Sequence, residues 1–191
     1  MIQPPAPPCL PLVELLKNLS VLRTTLIKSC DLHGSERSIR EHAPSAEWIA
    51  EVRTLFLRHD EQAAEILSVS DGVDLAPPLR TGDSRAKALD FCLQLRNADC
   101  SAIIRDLGTA VILATQDYAL LYSTALALED YELAGLQLAQ LKETTPLVMS
   151  MHRVLAEAAI ADLGETYHVP HAQATVRLAG QSVGKAWRSN D

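Results

Sequence analysis

The chain has 191 residues, of which 48% are hydrophobic and only 4% aromatic, and its 24 acidic and 17 basic residues give a net charge of −7. This length is typical of one domain, which can bury about two-thirds of its unfolded surface without a disulfide or a metal to staple it. The acidic balance argues against a nucleic-acid partner, because phosphate backbones repel an acidic surface.

Nothing in the chain marks it for export or for a membrane. The stretch "MIQPPAPPCLPL" has neither a basic start nor a long apolar segment, and its prolines predict an extended arm over residues 1–11. The longest weakly charged run, residues 107–128, contains Gln116 and Asp117, which indicates a buried helix. We expect free thiols in a reducing cytoplasm, because no CxxC spacing links the four cysteines, Cys9, Cys30, Cys92 and Cys100.

The first two predicted helices carry apolar residues at helical spacing. The first starts near Leu12, and Gly34 is its expected stop. The second starts at Ser45, the expected N-cap, and fades before the turn residues Asp71 and Gly72. The first stripe is Leu12, Leu15, Leu16, Leu19, Leu22 and Leu26, and the second is Trp48, Val52, Leu55, His59, Ala63 and Ile66.

Two longer helices follow a loop over residues 70–84 and a short amphipathic segment over residues 85–96. The third is expected from about Ser101 to Leu128, and the fourth from the N-cap Asp130 to about Leu163, with a kink near Pro146. The third stripe is Ile103, Leu107, Val111, Ala114, Tyr118, Leu121 and Ala125, and the fourth is Ala134, Leu138, Leu141, Val148, His152, Leu155 and Ala159.

These elements predict an all-α protein with an antiparallel four-helix bundle over residues 12–164. The longer connection over residues 68–100 is expected to be a crossover that contains a short extra helix. The tail, residues 165–191, has helical spacing at Ala172, Val176, Ala179, Val183 and Trp187. Because its glycines weaken it, we expect this tail helix to form only when docked on its own bundle or on a neighbouring subunit.

Two segments resemble ferritin-like bundles, in particular bacterial stress proteins of the YciF type. The segment "ATQDYALLYSTALALEDYELAGLQLAQL" is similar to the second helical pair of that family, and "FLRHDEQAAEIL" is similar to its second helix, which in the family carries Glu-x-x-His. The resemblance covers roughly residues 12–163. It implies a ferritin-like crossover and, in intact members, a di-iron site between the helices.

The chain departs from the metal-binding pattern of that family. Glu-x-x-His is absent, since Phe56 stands three residues before His59 and Met149 three residues before His152. The stripe of the first helix holds no acid, because Glu14 falls on the opposite side. An unusual ligand set could still be drawn from His59, Glu61, Asp117, Glu143 and His152.

Several of these residues have a structural interpretation beside the functional one. The histidines on apolar stripes, together with Asp117, could form a degenerate metal site or carry a proton, or they could form a His–Asp or His–backbone hydrogen bond that satisfies buried polar groups. The structural interpretation is favoured for a lone histidine on an apolar face. Asp60, Glu61 and Glu65 are expected on a solvated face.

Two further pairs have unremarkable explanations. His168 and His171 have HxxH spacing, but Pro170 between them favours a simple tail contact over a zinc site. Met149 and Met151 are expected in the core or at an interface.

Three functional hypotheses remain open. The first is a non-enzymatic, cytoplasmic, ferritin-like bundle that has lost its di-iron site, needs no cofactor, and acts in assembly or stress response as a homodimer. The second is a protein that binds iron or another divalent metal through the unusual ligand set. The third is a helical adaptor whose proline-rich arm or tail docks on a protein partner. No catalytic signature is present, and neither nucleic acid nor membrane is expected as a partner.

Overall fold

The computed structural model describes residues 10–69, 99–168 and 171–188, and every secondary-structure element within these ranges is a helix. The predicted all-α class is therefore confirmed for the part of the chain described. Residues 1–9 of the predicted arm, the 70–84 loop and the 85–96 segment lie outside these ranges, whereas Leu10 and Pro11, which were assigned to the arm, belong to the first helix. The helices are α1 (Leu10–His33), α2 (Arg37–Glu41), α3 (Ala43–Val69), α4 (Cys100–Ala127), α5 (Tyr131–Thr166) and α6 (Ala172–Arg188).

Helix α1 ends where the sequence predicts. The Gly34 N–H donates to the Cys30 carbonyl at 2.8 Å, and a Cβ on Gly34 would lie 2.8 Å from the same oxygen, so only glycine ends the helix without a clash. One residue on the inner face was not predicted: Arg23 is completely buried. Of the predicted stripe, Leu15 is partly buried and Leu12, Leu16, Leu19, Leu22 and Leu26 are buried.

Helix α3 starts at Ala43, at the beginning of the predicted segment "APSAEW", but the predicted N-cap was wrong. The short α2 precedes it, and Ser45 is a buried residue in the first turn of α3 rather than its N-cap. Its hydroxyl is used elsewhere: it lies 2.7 Å from His42 Nδ1 and accepts a weak hydrogen bond from the Cys100 thiol at 3.2 Å. The predicted stripe is otherwise confirmed, with Trp48, Val52, Leu55, His59 and Ala63 buried; the Ile66 side chain lies outside the part described.

Helix α4 matches its prediction most closely, within one residue at each end. All seven residues of its predicted stripe are buried. The N-terminus of α4 is capped by Asp162, a residue near the end of α5. The Asp162 carboxylate accepts hydrogen bonds from the backbone N–H groups of Cys100 and Ser101 at 3.2 and 2.8 Å.

Helix α5 begins as predicted, with the Asp130 carboxylate accepting the Leu133 N–H at 3.1 Å. Its predicted apolar stripe was only partly correct: Leu141, Val148 and Leu155 are partly buried against the core, but beyond Ala134 the fully buried face is displaced by about one residue and is partly polar. The helix also runs past Gly164 to Thr166. The buried residues are Leu133, Ala134, Gln137, Gln140, Thr144, Leu147, Met151, Val154 and Ala158.

Pro146 lies inside α5 without ending it. The two threonines before it turn back on the helix: Thr144 Oγ1 donates to the carbonyls of Gln140 and Leu141, and Thr145 Oγ1 also donates to Leu141. A proline lacks the N–H that would continue the ladder at this point, so the kink predicted here remains a prediction.

The long helices enclose one core. Helix α1 packs against α3 and α4, helix α5 packs against α3 and α4, and α6 packs against α5 of the same chain. Residues 172–188 of the tail are therefore helical, and this helix contacts α5 of the same chain. None of the helices in the described ranges is both long and apolar enough to cross a membrane.

Candidate functional site: a buried polar network

His59 lies at the centre of a hydrogen-bond network inside the bundle. Helix α3 places it on the buried face, where its side chain has no exposed surface. Its Nδ1 lies 2.9 Å from the Tyr118 hydroxyl on α4, and its Nε2 lies 2.9 Å from Glu143 Oε2 on α5. The Tyr118 ring stands edge-on to the imidazole, with 5.4 Å between ring centroids. One histidine thus links three helices.

The direction of these hydrogen bonds follows from the donors present. The Glu143 carboxylate only accepts, so the hydrogen of a neutral His59 is on Nε2. Nδ1 is then an acceptor, and the Tyr118 O–H donates to it. The network therefore runs outward from a buried phenol, through an imidazole, to a carboxylate that is 41% exposed.

The electrostatics keep His59 neutral and Glu143 ionised. Burial lowers the pKa of His59, against the opposing influence of Glu143, and the positive charges of Arg23 and Arg58 lower it further. The hydrogen bond from His59 lowers the pKa of Glu143, helped by Arg58, whose Nη2 lies 2.8 Å from Glu143 Oε2. The neutral imidazole and the carboxylate thus stabilise each other without a buried charge on the ring.

Arg23 brings a permanent positive charge into the core. Its Nε lies 3.4 Å from Asp60 Oδ1, and Asp60 is 40% exposed while Arg23 is buried. None of the three guanidinium nitrogens of Arg23 meets the geometry of a hydrogen bond within the described part of the chain, although the guanidinium is close enough to the Tyr118 hydroxyl to act on the pKa of the phenol. The guanidinium therefore has an ion pair on one side and incomplete hydrogen bonding on the other, which is costly for a buried cation.

Tyr118 lies between these groups. Burial raises the pKa of its phenol well above the usual value, an effect that the charge of Arg23 opposes and that of Asp117 reinforces. The phenol is consequently protonated throughout the physiological range and remains the donor to His59. We call Arg23, Arg58, His59, Asp60, Tyr118 and Glu143 the core network.

Polar side chains of α5 continue the network on one side. Gln140 Nε2 donates to Gln62 Oε1 of α3 at 3.0 Å, and Gln137 and Thr144 are buried on the same face of α5. Because these buried residues are polar, the spacing of apolar residues alone could not predict the buried face of α5. The interior of the bundle is polar here, although the rest of it is apolar.

The structure brings together only two of the five predicted metal ligands, His59 and Glu143. Glu61 is exposed, and Asp117 is half-buried beside Tyr118. His152 lies nine residues beyond Glu143 on α5, about 13 Å along the helix. No group of three or more histidine, cysteine, aspartate or glutamate side chains with the arrangement of a metal site occurs among the described residues.

The residues of the core network do not fit a di-iron centre. Such a centre needs several inward carboxylates, whereas the core network brings the charge of a buried guanidinium to bear on His59, and its two carboxylates, Asp60 and Glu143, are 40% and 41% exposed. Both ring nitrogens of His59 are already hydrogen-bonded, and Glu143 also binds Arg58. A divalent cation here would face the charge of Arg23 at close range.

Other sequence interpretations had mixed outcomes. Asp60 is 40% exposed and Glu61 and Glu65 are exposed, as expected of a solvated face, but the pairing of Asp60 with Arg23 was not predicted. Met151 is buried in the core as predicted, whereas Met149 is half-exposed. The predicted His–Asp or His–backbone partner of His59 was wrong, because its partners are a phenol and a glutamate.

The remaining candidates carry no organised chemistry. His168 and His171 are exposed. Cys30 and Cys100 are buried free thiols, and burial, with a contribution from Asp31, raises the pKa of Cys30 to about 12, which makes it unreactive.

Two members of the core network lie at sequence positions that indicate burial. Arg23 stands four residues after Leu19 and three before Leu26, which places it on the apolar stripe of α1. Tyr118 was placed on the α4 stripe, but only its hydroxyl partner reveals a polar role. Arg58 gave no signal, since an arginine beside a stripe is typical of any amphipathic helix.

No protein-family model matches the chain, and neither the curated proteins nor the solved structures contain a match. The proposed function therefore rests on the structure and chemistry of the protein itself.

Proposed function

We propose that this chain is a non-enzymatic, ferritin-like helical bundle in which the core network stands in place of a di-iron site, and that it acts through self-association in the cytoplasm as part of a stress response. The observation that carries the proposal is the buried guanidinium of Arg23, which pairs with Asp60 and whose charge acts on Tyr118 and His59. A fixed cation in the core supplies the positive charge that metals supply in metal-binding bundles.

The order of cross-helix contacts supports an antiparallel bundle. Asp31 pairs with Arg53 while Arg23 pairs with Asp60, so residue numbers rise on α1 as they fall on α3. Trp48 donates to the Leu147 carbonyl at 3.2 Å, and further along α3 Gln62 meets Gln140, so α3 and α5 also run in opposite directions.

The connection between α3 and α4 supports the ferritin-like topology. Ser45 meets Cys100 near the start of both helices, and His59 meets Tyr118 further along both. Helices α3 and α4 therefore run in the same direction, so the end of α3 and the start of α4 lie at opposite ends of the bundle. A single long crossover between two antiparallel pairs is the connectivity of ferritin-like folds.

Metal retention tests the loss of the di-iron site. Protein purified without chelator, and challenged anaerobically with Fe(II) and then Zn(II), is expected to retain less than one-tenth of an equivalent after desalting, measured by elemental mass spectrometry. The His59→Ala and Glu143→Ala variants are expected to give the same result. Retention of one or two equivalents that those variants lose would contradict the proposal.

Exposed apolar side chains support self-association. At one end of the α4–α5 pair Leu128 and Tyr131 are 46% and 68% exposed, and at the other end Leu163 and Tyr167, four residues apart, are 50% and 66% exposed. Leu178 of α6 is also 66% exposed. Apolar side chains clustered at helix ends are typical of surfaces that a partner covers, and a second copy of the chain is the partner we propose.

Light scattering coupled to size exclusion tests the homodimer. We expect a mass of twice 20.8 kDa at micromolar concentration. Substituting Leu163→Glu together with Leu178→Glu should shift the protein toward monomer, whereas Met149→Glu, an equally exposed site in the middle of α5, should leave the mass unchanged. A monomeric parent protein would contradict the assembly role.

A further inference from the structure

We propose that Tyr118 is a site of reversible one-electron oxidation, in which its phenolic proton passes to His59 and onward to Glu143. This activity goes beyond the proposed assembly role and does not depend on it. The oxidant is a one-electron oxidant of the kind formed during oxidative stress, such as a peroxide-derived radical, and the return step needs a one-electron reductant such as a thiol or ascorbate.

The first requirement for such a site is a base in contact with the phenol. A neutral tyrosyl radical forms at an accessible potential only if the proton leaves together with the electron. His59 Nδ1 lies 2.9 Å from the Tyr118 oxygen and is the acceptor in that hydrogen bond. The neutral state of the imidazole, favoured by its burial, leaves this nitrogen free to take the proton.

The second requirement is a route by which the proton leaves the core. When Nδ1 gains a proton, Nε2 can pass its own hydrogen to Glu143 Oε2, 2.9 Å away. Glu143 is 41% exposed and can release the proton to solvent. After both transfers His59 is neutral again, so no additional positive charge stays beside Arg23 and Arg58.

The third requirement is protection of the radical. Tyr118 has no exposed surface, which prevents coupling to a second tyrosine and direct attack by solvent species. Tyr122, one turn further along α4, is partly buried and provides a second oxidisable ring that is more exposed than Tyr118.

The step balances in atoms and electrons. The oxidant accepts one electron from the Tyr118 ring, the phenolic O–H bond breaks, a new N–H bond forms at His59 Nδ1, and the displaced Nε2 proton moves to Glu143. The products are a neutral phenoxyl radical, a reduced oxidant and one proton released through Glu143. The reductant reverses each of these changes.

Photochemical oxidation of the full chain tests the proposal. A ruthenium tris-bipyridine complex with persulfate generates the one-electron oxidant in a light flash, and electron paramagnetic resonance of frozen samples detects the radical. We expect a tyrosyl signal that persists in the parent protein and falls at least tenfold in Tyr118→Phe. The exposed Tyr131→Phe variant is the matched control and should keep the long-lived signal. An unchanged signal in Tyr118→Phe would overturn the proposal.

The proton route is tested by rate rather than by yield. In His59→Gln the amide can accept the phenolic hydrogen bond but is not a base, so we expect oxidation of Tyr118 to slow at least tenfold. If that variant does not fold, Glu143→Gln decides, because it changes only the half-exposed end of the route and should slow oxidation severalfold. A purely structural hydrogen bond would leave the oxidation rate and its solvent isotope effect unaltered in Glu143→Gln, and that result would overturn the proposed proton route.

Discussion

At the scale of single residues, Arg23 decides how the core is interpreted. A buried ion pair contributes little net stability, because the cost of removing the guanidinium from water offsets its attraction to Asp60. Substituting only one residue of the pair can have a larger effect on stability than the net contribution of the pair, since it leaves the charge of the other residue uncompensated. The two residues of the pair should therefore respond unequally to substitution.

We predict that Arg23→Met changes the free energy of unfolding by less than about 1 kcal/mol, because methionine fills similar volume and the half-exposed Asp60 can be hydrated. Asp60→Asn should lower it by about 2 kcal/mol, because the cation remains buried; the partial exposure of Asp60 keeps this below the cost for a fully buried pair. Urea denaturation measures both. The matched control is Asp31→Asn, in an exposed pair with Arg53, which should cost about 0.5 kcal/mol. Equal losses in both core variants would contradict this account.

The stability of the protein should fall as the pH is lowered. The pKa values of His59 and Glu143 are both lower in the folded state, so the unfolded chain binds more protons and stability rises with pH. The contribution of His59 is complete above its unfolded pKa of about 6.5 and declines below it, and that of Glu143 declines below about 4.3. Arg23, Arg58, Asp60, Asp117 and Tyr118 surround these groups and do not change the sign.

Denaturation midpoints between pH 7.5 and 5.0 measure this dependence. The His59→Gln variant should show a smaller loss of stability over that interval than the parent protein, because it no longer has the titrating ring. His168→Gln, at an exposed position, should follow the parent curve. A parent protein that becomes more stable from pH 7.5 to 5.0 would contradict the assignment of a neutral His59.

At the scale of helices, α4 and α5 show where sequence periodicity succeeds and where it fails. Every predicted inward residue of α4 is buried, because its inner face is apolar from Ile103 to Ala125. On α5 the polar residues Gln137, Gln140 and Thr144 face inward, so the apolar residues beside them gave a stripe displaced by one position. The spacing of apolar residues locates the buried face of a helix only when the residues on that face are themselves apolar. The partners that satisfy an inward amide belong to other helices and cannot be inferred from one segment.

The close packing of α4 on α5 depends on Gly108. A Cβ at this position would lie 1.8 Å from the sulfur of the buried Met151. We predict that Gly108→Ala lowers the free energy of unfolding by about 1–2 kcal/mol despite the better helix propensity of alanine. Gly135→Ala, with nothing within 4 Å of the new Cβ, should instead raise it by about 0.5–1 kcal/mol. The opposite signs are measured by thermal or urea denaturation.

A double variant shows whether steric conflict is the cause. Met151→Ala alone should be destabilising by about 2 kcal/mol through the cavity it leaves. Combined with Gly108→Ala, it should cost less than the sum of the two single changes, since the added methyl group then fills part of that cavity. Strict additivity would show that the sulfur of Met151 does not limit the approach of the two helices.

At the scale of the whole molecule, the sequence predicted helix content and most boundaries, but not the interior chemistry. Apolar spacing and the turn residues Gly34 and Asp130 located three of the four long helices closely. The core network could not be predicted in full, because it is assembled from four helices whose contacts depend on the tertiary arrangement. Only His59 and Glu143 were among the candidates; both were considered as metal ligands and His59 also as a proton carrier, but neither was linked to Tyr118.

The arrangement as a whole suggests why a bundle would keep polar groups in its interior. An apolar core would have been sufficient for folding, since similarly sized hydrophobic residues replace buried ion pairs at little cost. The core network instead helps to specify how α1, α3, α4 and α5 meet, because its ion pair and hydrogen bonds join all four helices. Register and redox chemistry are compatible uses of the same residues.

We propose that the Arg23 guanidinium occupies the place of a metal. Calorimetric titration of Zn(II) and anaerobic Fe(II) into the parent protein and into Arg23→Glu tests this directly. The substitution replaces a buried cation by a carboxylate beside Asp60, His59 and Glu143. The account predicts no saturable binding by the parent protein and binding of about one equivalent by Arg23→Glu, accompanied by a rise in its melting temperature on adding metal. Saturable binding by the parent protein that is equal to that of the variant would show that the guanidinium does not keep metal out, and the account would be wrong.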